Sequence, residues 1–446
     1  MGAGAMQPWQ CSKSGRARGT VHSPMPPSPL SSRLAQARRQ VRAAPEDLWP
    51  GFRPAEVPLL SFDGEETHLT GADPQEAGWH PHPDGGWRWP GRHPALVANT
   101  AVTLPGGALA AGILADGLAE LDARRLAALL VHEAFHVHQA AYPSPAWEAD
   151  ELDGLTYPRT DPGVLHARAE EAACLAAALA HPADWKAHAC HALAWRQARF
   201  AALAPEHVRY ERRMETREGL AHFVETRFLD EVSRLDGEQD ASATPREWAY
   251  RSGAALAHLL ARVGDKWQAQ VLAGTALDEA LGARVGVAER PSPREALRGA
   301  GTQAAAKTAA DLAALEAEFR ALPGPRLVLE LGEPWPVVGF DPLNLHALPG
   351  GALLHRRYLH LRGPGGEVEL VGFPALAWGD SPLRAHRLEV AGLPLDLQPG
   401  LQGDRWQLGG EGVRVHVAPG TVTPDGRGGW TVCSGCAPEC APGRLC

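Results

Sequence analysis

The sequence predicts an α+β protein in three stretches: a loop-rich front with a small β element, a long helical centre and a small antiparallel β domain. Three observations carry this. From about residue 120 to residue 321 the texture is Ala, Leu, Arg and Glu, strong helix formers, with prolines at 143, 162, 182, 205 and 245 as breaks. Beyond Pro323 it becomes short apolar runs set between Gly- and Pro-rich turns. Ahead of the helical stretch, residues 100–104 and 108–114 flank Pro105-Gly106-Gly107, the pattern of a short hairpin loop. With 446 residues and domains of about 150, two or three domains are expected.

Taken in order, residues 1–45 hold seven of the 43 basic residues and none of the 52 acidic ones. They are rich in Pro, Ser and Gly without hydrophobic periodicity, so a disordered basic leader is expected, dispensable or a docking tail. Met6 and Met25 leave room for a later start. The segment lacks the apolar centre of a secretion signal, and a cytoplasmic location follows as the default. Residues 46–322 form the main domain. Its front is loop-rich, with apolar runs at 57–62 and 95–104, and helices are expected at 122–141, 164–180, 183–203, 206–232, 246–263, 265–283 and 304–321. Residues 323–446 form the β domain, with strands near 326–331, 352–361, 367–373, 384–390 and 413–417. Gly363-Pro364-Gly365-Gly366 is its clearest hairpin signal.

Composition excludes some functions. A net charge of −9 argues against a general nucleic-acid binder, which needs a basic face for phosphates. No apolar run reaches about 18 residues, so no transmembrane helix is expected. Oligomeric state is open. Seven cysteines are too few for a disulfide scaffold. Cys433, Cys436, Cys440 and Cys446 cluster at the end without the separated second pair of a zinc ribbon, which leaves disulfides or a loose tail ahead of a metal site.

The sharpest motif is His132-Glu133-Ala134-Phe135-His136. It lies late in the helix that starts near Asp122, whose apolar stripe is Leu126, Leu130, Ala134, Val137 and Ala141. Histidines four apart project from one side of a helix and can grip one ion, while the intervening Glu reaches a water activated by the ion. The bland alternative is two solvated histidines. Against it stands a second motif, Glu215-Thr216-Arg217-Glu218-Gly219-Leu220-Ala221-His222-Phe223-Val224-Glu225. Two histidines leave a zinc ion short of a third protein ligand, and Glu218 is the choice from this helix. Glu215 is the reserve ligand or a partner to a ligating His, and the small Gly219 and Ala221 would let the second helix approach the first. Here too a solvated polar face is the alternative.

On these two motifs the chain resembles a zincin, specifically the gluzincin-type HExxH zinc metallopeptidases, including poorly characterised bacterial families. The resemblance extends loosely over 95–285. It implies Zn²⁺ held by His132, His136 and Glu218, with Glu133 as the catalytic base in hydrolysis of a peptide or protein substrate. For stabilising the oxyanion Tyr250 is the candidate, against a Tyr merely packed between helices; His222 and His138 are further possible donors. By fold analogy an edge strand, 100–104 or 108–114, would pair with extended substrate.

Weaker features have plainer readings. His68, His80, His82 and His93 sit in a Pro- and Trp-rich loop setting without regular ligand spacing. Glu170 and Glu171 fit a solvated face or a salt bridge to Arg168. The function alternatives are a catalytically silent zincin-fold binding module, which would not need Glu133, and a ferritin-like di-metal bundle. The bundle would require a second Glu-x-x-His on another helix, and only Glu65-x-x-His68 supplies that spacing.

Overall fold

The computed structural model describes residues 29–434, apart from 84, 116, 117, 119, 142, 143, 145, 146, 265, 342, 343, 404, 419, 420 and 425–427. Its first element corrects the expected leader. Residues 29–42 are not disordered but form helix α1 (Pro29–Arg42). Leu34, Ala37 and Val41 recur at spacings of three and four and are fully buried against the zinc-motif helix. Three apolar residues amid basic ones were too sparse a stripe to show in composition. Residues 1–28 lie outside the described part of the chain.

The front half builds one sheet from β1 (Leu59–Phe62), β2 (Glu66–Thr70), β3 (His80–Pro81), β4 (Trp87–Pro90), β5 (Thr100–Thr103) and β6 (Leu109–Leu114), in the order β3-β4-β2-β1-β6-β5. All neighbours are antiparallel except β1 and β6. The expected hairpin is β5–β6, and β5 is the edge of the sheet. The loop histidines belong to this sheet. His68 pairs with Asp63, and His93 pairs with Glu76 and packs against Trp79 and edge-on against Trp89. His68 thus lies on β2, outside any helical bundle, and the di-metal arrangement is not formed with Glu65.

Eleven further helices follow: α2 (Ala123–Ala141), α3 (Glu151–Leu155), α4 (Pro162–Ala180), α5 (Trp185–Ala201), α6 (Pro205–Met214), α7 (Leu220–Leu229), α8 (Gly237–Ala241), α9 (Pro245–Ala261), α10 (Trp267–Leu272), α11 (Leu277–Val285) and α12 (Ala300–Ala321). Helix α2 is capped by the Asp122 carboxylate, which accepts from the Arg125 N–H at 2.8 Å. It packs on α1, α7 and the β5–β6 hairpin, and is buried on more sides than the single stripe implies: Ala127, Val131 and Phe135 are as buried as Leu126 and Leu130, whereas Ala141 is exposed. The expected helix 206–232 is really three pieces, with a π-helical turn at Glu215–Gly219 between α6 and α7. The expected helix 265–283 is two, because Gly274 adopts φ +102°, a left-handed conformation that ends α10.

From residue 327 the chain is β structure, as expected: β7 (Leu327–Phe340), β8 (Leu345–Ala347), β9 (Leu353–His355), β10 (Tyr358–Gly363), β11 (Gly366–Val371), β12 (Ala375–Trp378), β13 (Arg384–Val390), β14 (Pro399–Gln402), β15 (Arg405–Gly410), β16 (Val413–Val417), β17 (Thr421–Pro424) and β18 (Trp430–Ser434). The long β7 joins two faces. It pairs with β13 along both halves, in parallel with β18 over its first half, and with β10 over its last residues. One core, with Leu329, Leu361, Leu388 and Val415, gathers side chains from both. The Gly363–Gly366 turn closes the β10–β11 hairpin. The run 352–361 splits into β9 and β10, which pair with different neighbours. Cys433 lies on β18; Cys436, Cys440 and Cys446 lie outside the described residues.

Helix α12 ties the two regions. Its start, Ala300 and Ala304, packs with Leu165 and Ala169 of α4; its end, Leu312 and Phe319, packs with Leu348, Leu354 and Leu376 of the β domain. Among the described residues no helix is long and apolar enough to cross a membrane.

His355 on β9 is 2 % exposed, and neither ring nitrogen has a hydrogen-bond partner. Burial pushes its pKa down from 6.5 to about 4. Between those values the unfolded chain holds a proton there that the native fold does not, so stability falls as pH drops through the window, by up to about 3 kcal/mol. Acid titration of unfolding free energy should show this slope. His355→Leu should flatten it and be neutral or stabilising at pH 7, by about 1 kcal/mol.

Candidate metal centre

Two neighbouring helical segments bring the chemical residues together. From α2, His132 Nε2 and His136 Nε2 lie 3.2 Å apart. From the π-helical turn, Glu218 Oε2 lies 3.2 Å from His136 Nε2 and 3.8 Å from His132 Nε2. These three side chains form the one group among the described residues whose donor atoms converge as a metal site requires. A four-coordinate zinc with bonds of about 2.0–2.1 Å sets its donors roughly 3.3 Å apart, so the spacing fits. Glu218 Oε2 is buried with no hydrogen-bond partner, as expected of an atom whose partner is a cation. Three protein donors leave further coordination positions free for other ligands, the pattern of catalytic rather than structural sites.

The turn explains how a carboxylate reaches this point. A π turn inserts one extra residue and rotates the side chains that follow. Here it faces α9 at close quarters: a Cβ built on Gly219 would lie 2.6 Å from the Gly253 Cα, and one on Gly253 would lie 2.6 Å from the Glu215 carbonyl oxygen. The expectation for Gly219 is therefore corrected. Its missing side chain admits α9, not α2.

Each histidine of the triad is held from behind. Glu225 Oε2 accepts from His132 Nδ1 at 3.1 Å, and Gln139 Oε1 accepts from His136 Nδ1 at 2.7 Å. With Nδ1 engaged in each ring, both Nε2 atoms are turned toward Glu218. Gln139 is itself fixed by donating to the Arg217 carbonyl at 2.9 Å. Arg246 donates to Glu218 Oε1 at 2.8 Å and with its other terminal nitrogen to Glu151, which leaves Oε2 for the centre.

The electrostatics favour a cation. Burial opposes ionising Glu218, but His136, His132 and Arg246 outweigh it and hold its carboxyl well below the usual range. Glu225 is likewise held low by His132 and His222 against its burial. Although burial works the other way, Glu218 and Glu225 push the His132 imidazole up to about 10. The pocket thus presents two ionised carboxylates to whatever positive charge sits between the imidazoles.

Glu133 is 5 % exposed, and its Oε2 has no hydrogen-bond partner. Burial, opposed by His132 and His136, holds its carboxyl above the usual range. Tyr250 of α9 also reaches the centre, its ring stacked on His132 with centroids 5.6 Å apart and planes 8° apart. Burial and Glu218 push its phenol pKa up, so it stays a neutral donor.

Other expectations are corrected. Glu215 is no ligand: Arg196 takes both its oxygens, at 2.6 and 2.7 Å, and Ser252 donates to one of them. His222 donates to Glu225 at 2.9 Å, one step behind the ligands. His138 packs on Phe52 and Phe135 instead of entering the centre. Glu170 and Glu171 do not lie on a solvated face but are fully buried. Glu170 pairs with Arg294, and Glu171 with Arg196 and Arg199, not with Arg168. Sequence reading passed over Gln139 and Arg246. Gln139 was signalled by its place three residues after His136, and Arg246 by its place four residues before Tyr250 on one helix face.

The donor assignment has a direct check. Glu218→Ala should empty the centre of metal, Glu225→Ala should weaken metal affinity by about 10–100-fold, and Glu215→Ala should leave one metal per chain while lowering stability. Metal stoichiometry and competition with a chromogenic chelator read all three. Comparison with known protein families, characterised proteins and solved structures finds no match to this chain.

Proposed function

We propose that the protein is a zinc-dependent peptidase of the zincin kind, hydrolysing peptide bonds with Glu133 as general base. The observation that carries this reading is the Glu133 carboxylate, buried beside the triad with an oxygen that no protein group engages. A module that only binds metal has no use for such a group, and its desolvation is costly. When bound, the metal polarises a carbonyl and acidifies a water. His132, His136 and Glu218 would hold it. The His₂Glu donor set also suits Fe(II); the neighbouring uncommitted carboxylate favours hydrolysis, and elemental analysis tests the choice.

The chain's own groups then have defined tasks. Glu133 takes a proton from the attacking water and passes it to the leaving amine, and its raised pKa brings it nearer the working pH. Tyr250 offers a neutral O–H to the oxygen that gains charge. Arg246 and Glu225 keep Glu218 and His132 in place. Strand β5, paired among the described residues with β6 alone and packed beside α2, gives extended substrate an edge to pair with; β6 is paired on both sides and cannot. The test is hydrolysis of a mixed peptide library by the zinc-loaded protein, with and without a chelator. Products that appear only with metal support the reading; intact peptides under both conditions sink it.

A further inference from the structure

A cleft of about 390 Å³ opens between the helical region and the β domain, walled by α3, the start of α9, Leu312 of α12 and the residues around β8. Arg246 lines it, and the same guanidinium holds Glu218 of the metal centre, so cleft and centre share a wall. The charges inside are unbalanced. Glu151 is engaged by Arg246 and by the Tyr210 hydroxyl. Arg159, in the turn after α3, is half-buried in the cleft wall. Its Nε has no hydrogen-bond partner, and among the described residues no acidic group forms an ion pair with it. Glu247 and Asp311 act on it only through space. His346, also in the cleft lining, is kept toward its neutral form by burial, Arg159 and Arg356, and so adds no second positive charge there. The first residues of α9, Thr244 to Arg246, add the positive end of a helix dipole.

A half-buried guanidinium without an ion-paired carboxylate is a ready fork for a carboxylate from outside. We propose that this cleft is a carboxylate-binding subsite of the centre, with Arg159 receiving a carboxylate of the peptide substrate. The carboxylate comes either from the chain end or from an acidic side chain. This deepens the peptidase reading and rests on it.

The test uses zinc-loaded Glu133→Gln protein, so that peptides survive, and fluorescein-labelled alanine-based hexapeptides. These are made as free acids, as C-terminal amides, and as amides with an internal Glu or Gln. Anisotropy should show a carboxylate form binding about tenfold or more tighter than its amide partner, a charged hydrogen-bonded contact being worth at least that. The end-group and side-chain pairs tell which carboxylate is read. Adding Arg159→Gln should remove the preference, and Arg159→Lys should restore part of it, with metal content confirming the fold. Equal affinity within each pair, no binding of any peptide, or a preference that survives Arg159→Gln would overturn the subsite. Peptides cut by the unmodified protein without an Arg159-dependent preference would leave the peptidase reading and remove the cleft proposal. Preference without hydrolysis would do the reverse.

Discussion

Glu133→Gln should keep one zinc per chain and lose peptide hydrolysis by about 10²–10⁴-fold, the usual worth of a positioned general base. The amide occupies the same volume and the three donors are untouched, so metal content separates a lost base from a lost centre. Elemental analysis and single-turnover hydrolysis make the measurement. Activity within tenfold of the unmodified protein would show that the proton goes elsewhere. The prediction is strong because of what surrounds this carboxyl. It is buried, it belongs to the helix that supplies both imidazoles, and it has no structural partner at Oε2 to account for its presence.

Arg199→Met should destabilise the protein by about 3–5 kcal/mol, with a correspondingly lower midpoint in urea. Arg199 is fully buried and serves two carboxylates: Glu171, at 2.7 and 3.1 Å, and Glu211, at 2.6 Å to each oxygen. Beside it Arg196 bridges Glu171 and Glu215, while Tyr157 and Trp248 donate to Glu211. Removing one cation leaves buried negative charge without compensation, which costs far more than the intact pair contributes. The network also reaches the candidate metal centre. Glu215 begins the π turn that carries Glu218, so the Arg196 fork fixes the base of that turn. A loss below about 1 kcal/mol would mean that water screens these charges despite their burial.

These two variants mark the division between what is local and what is not. His132, Glu133 and His136 were legible because a single helix fixes their relative placement by spacing alone. Glu218 was legible because a metal with two imidazoles needs a third donor and few carboxylates sit in a suitable motif. Helix and strand regions followed from residue texture, since propensity and breakers act over a few neighbours. Helix α1 escaped, because its three buried apolar residues count only once α2 is there to cover them.

The one-dimensional chain settled the placement of His132 and His136 on one helix side, the α-then-β order and the β5–β6 hairpin, all set by contacts among residues close in sequence. Only the packed molecule decided that Glu215 turns to Arg196 while Glu218, three residues on, turns to the histidines. It alone decided that Glu171 and Arg199 lie inside, that Arg246 is shared between centre and cleft, and that Arg159 has no ion-pair partner among the described residues. Charged residues in a helical stretch look alike in sequence. Burial and partners distinguish them, and both are properties of elements tens to hundreds of residues apart.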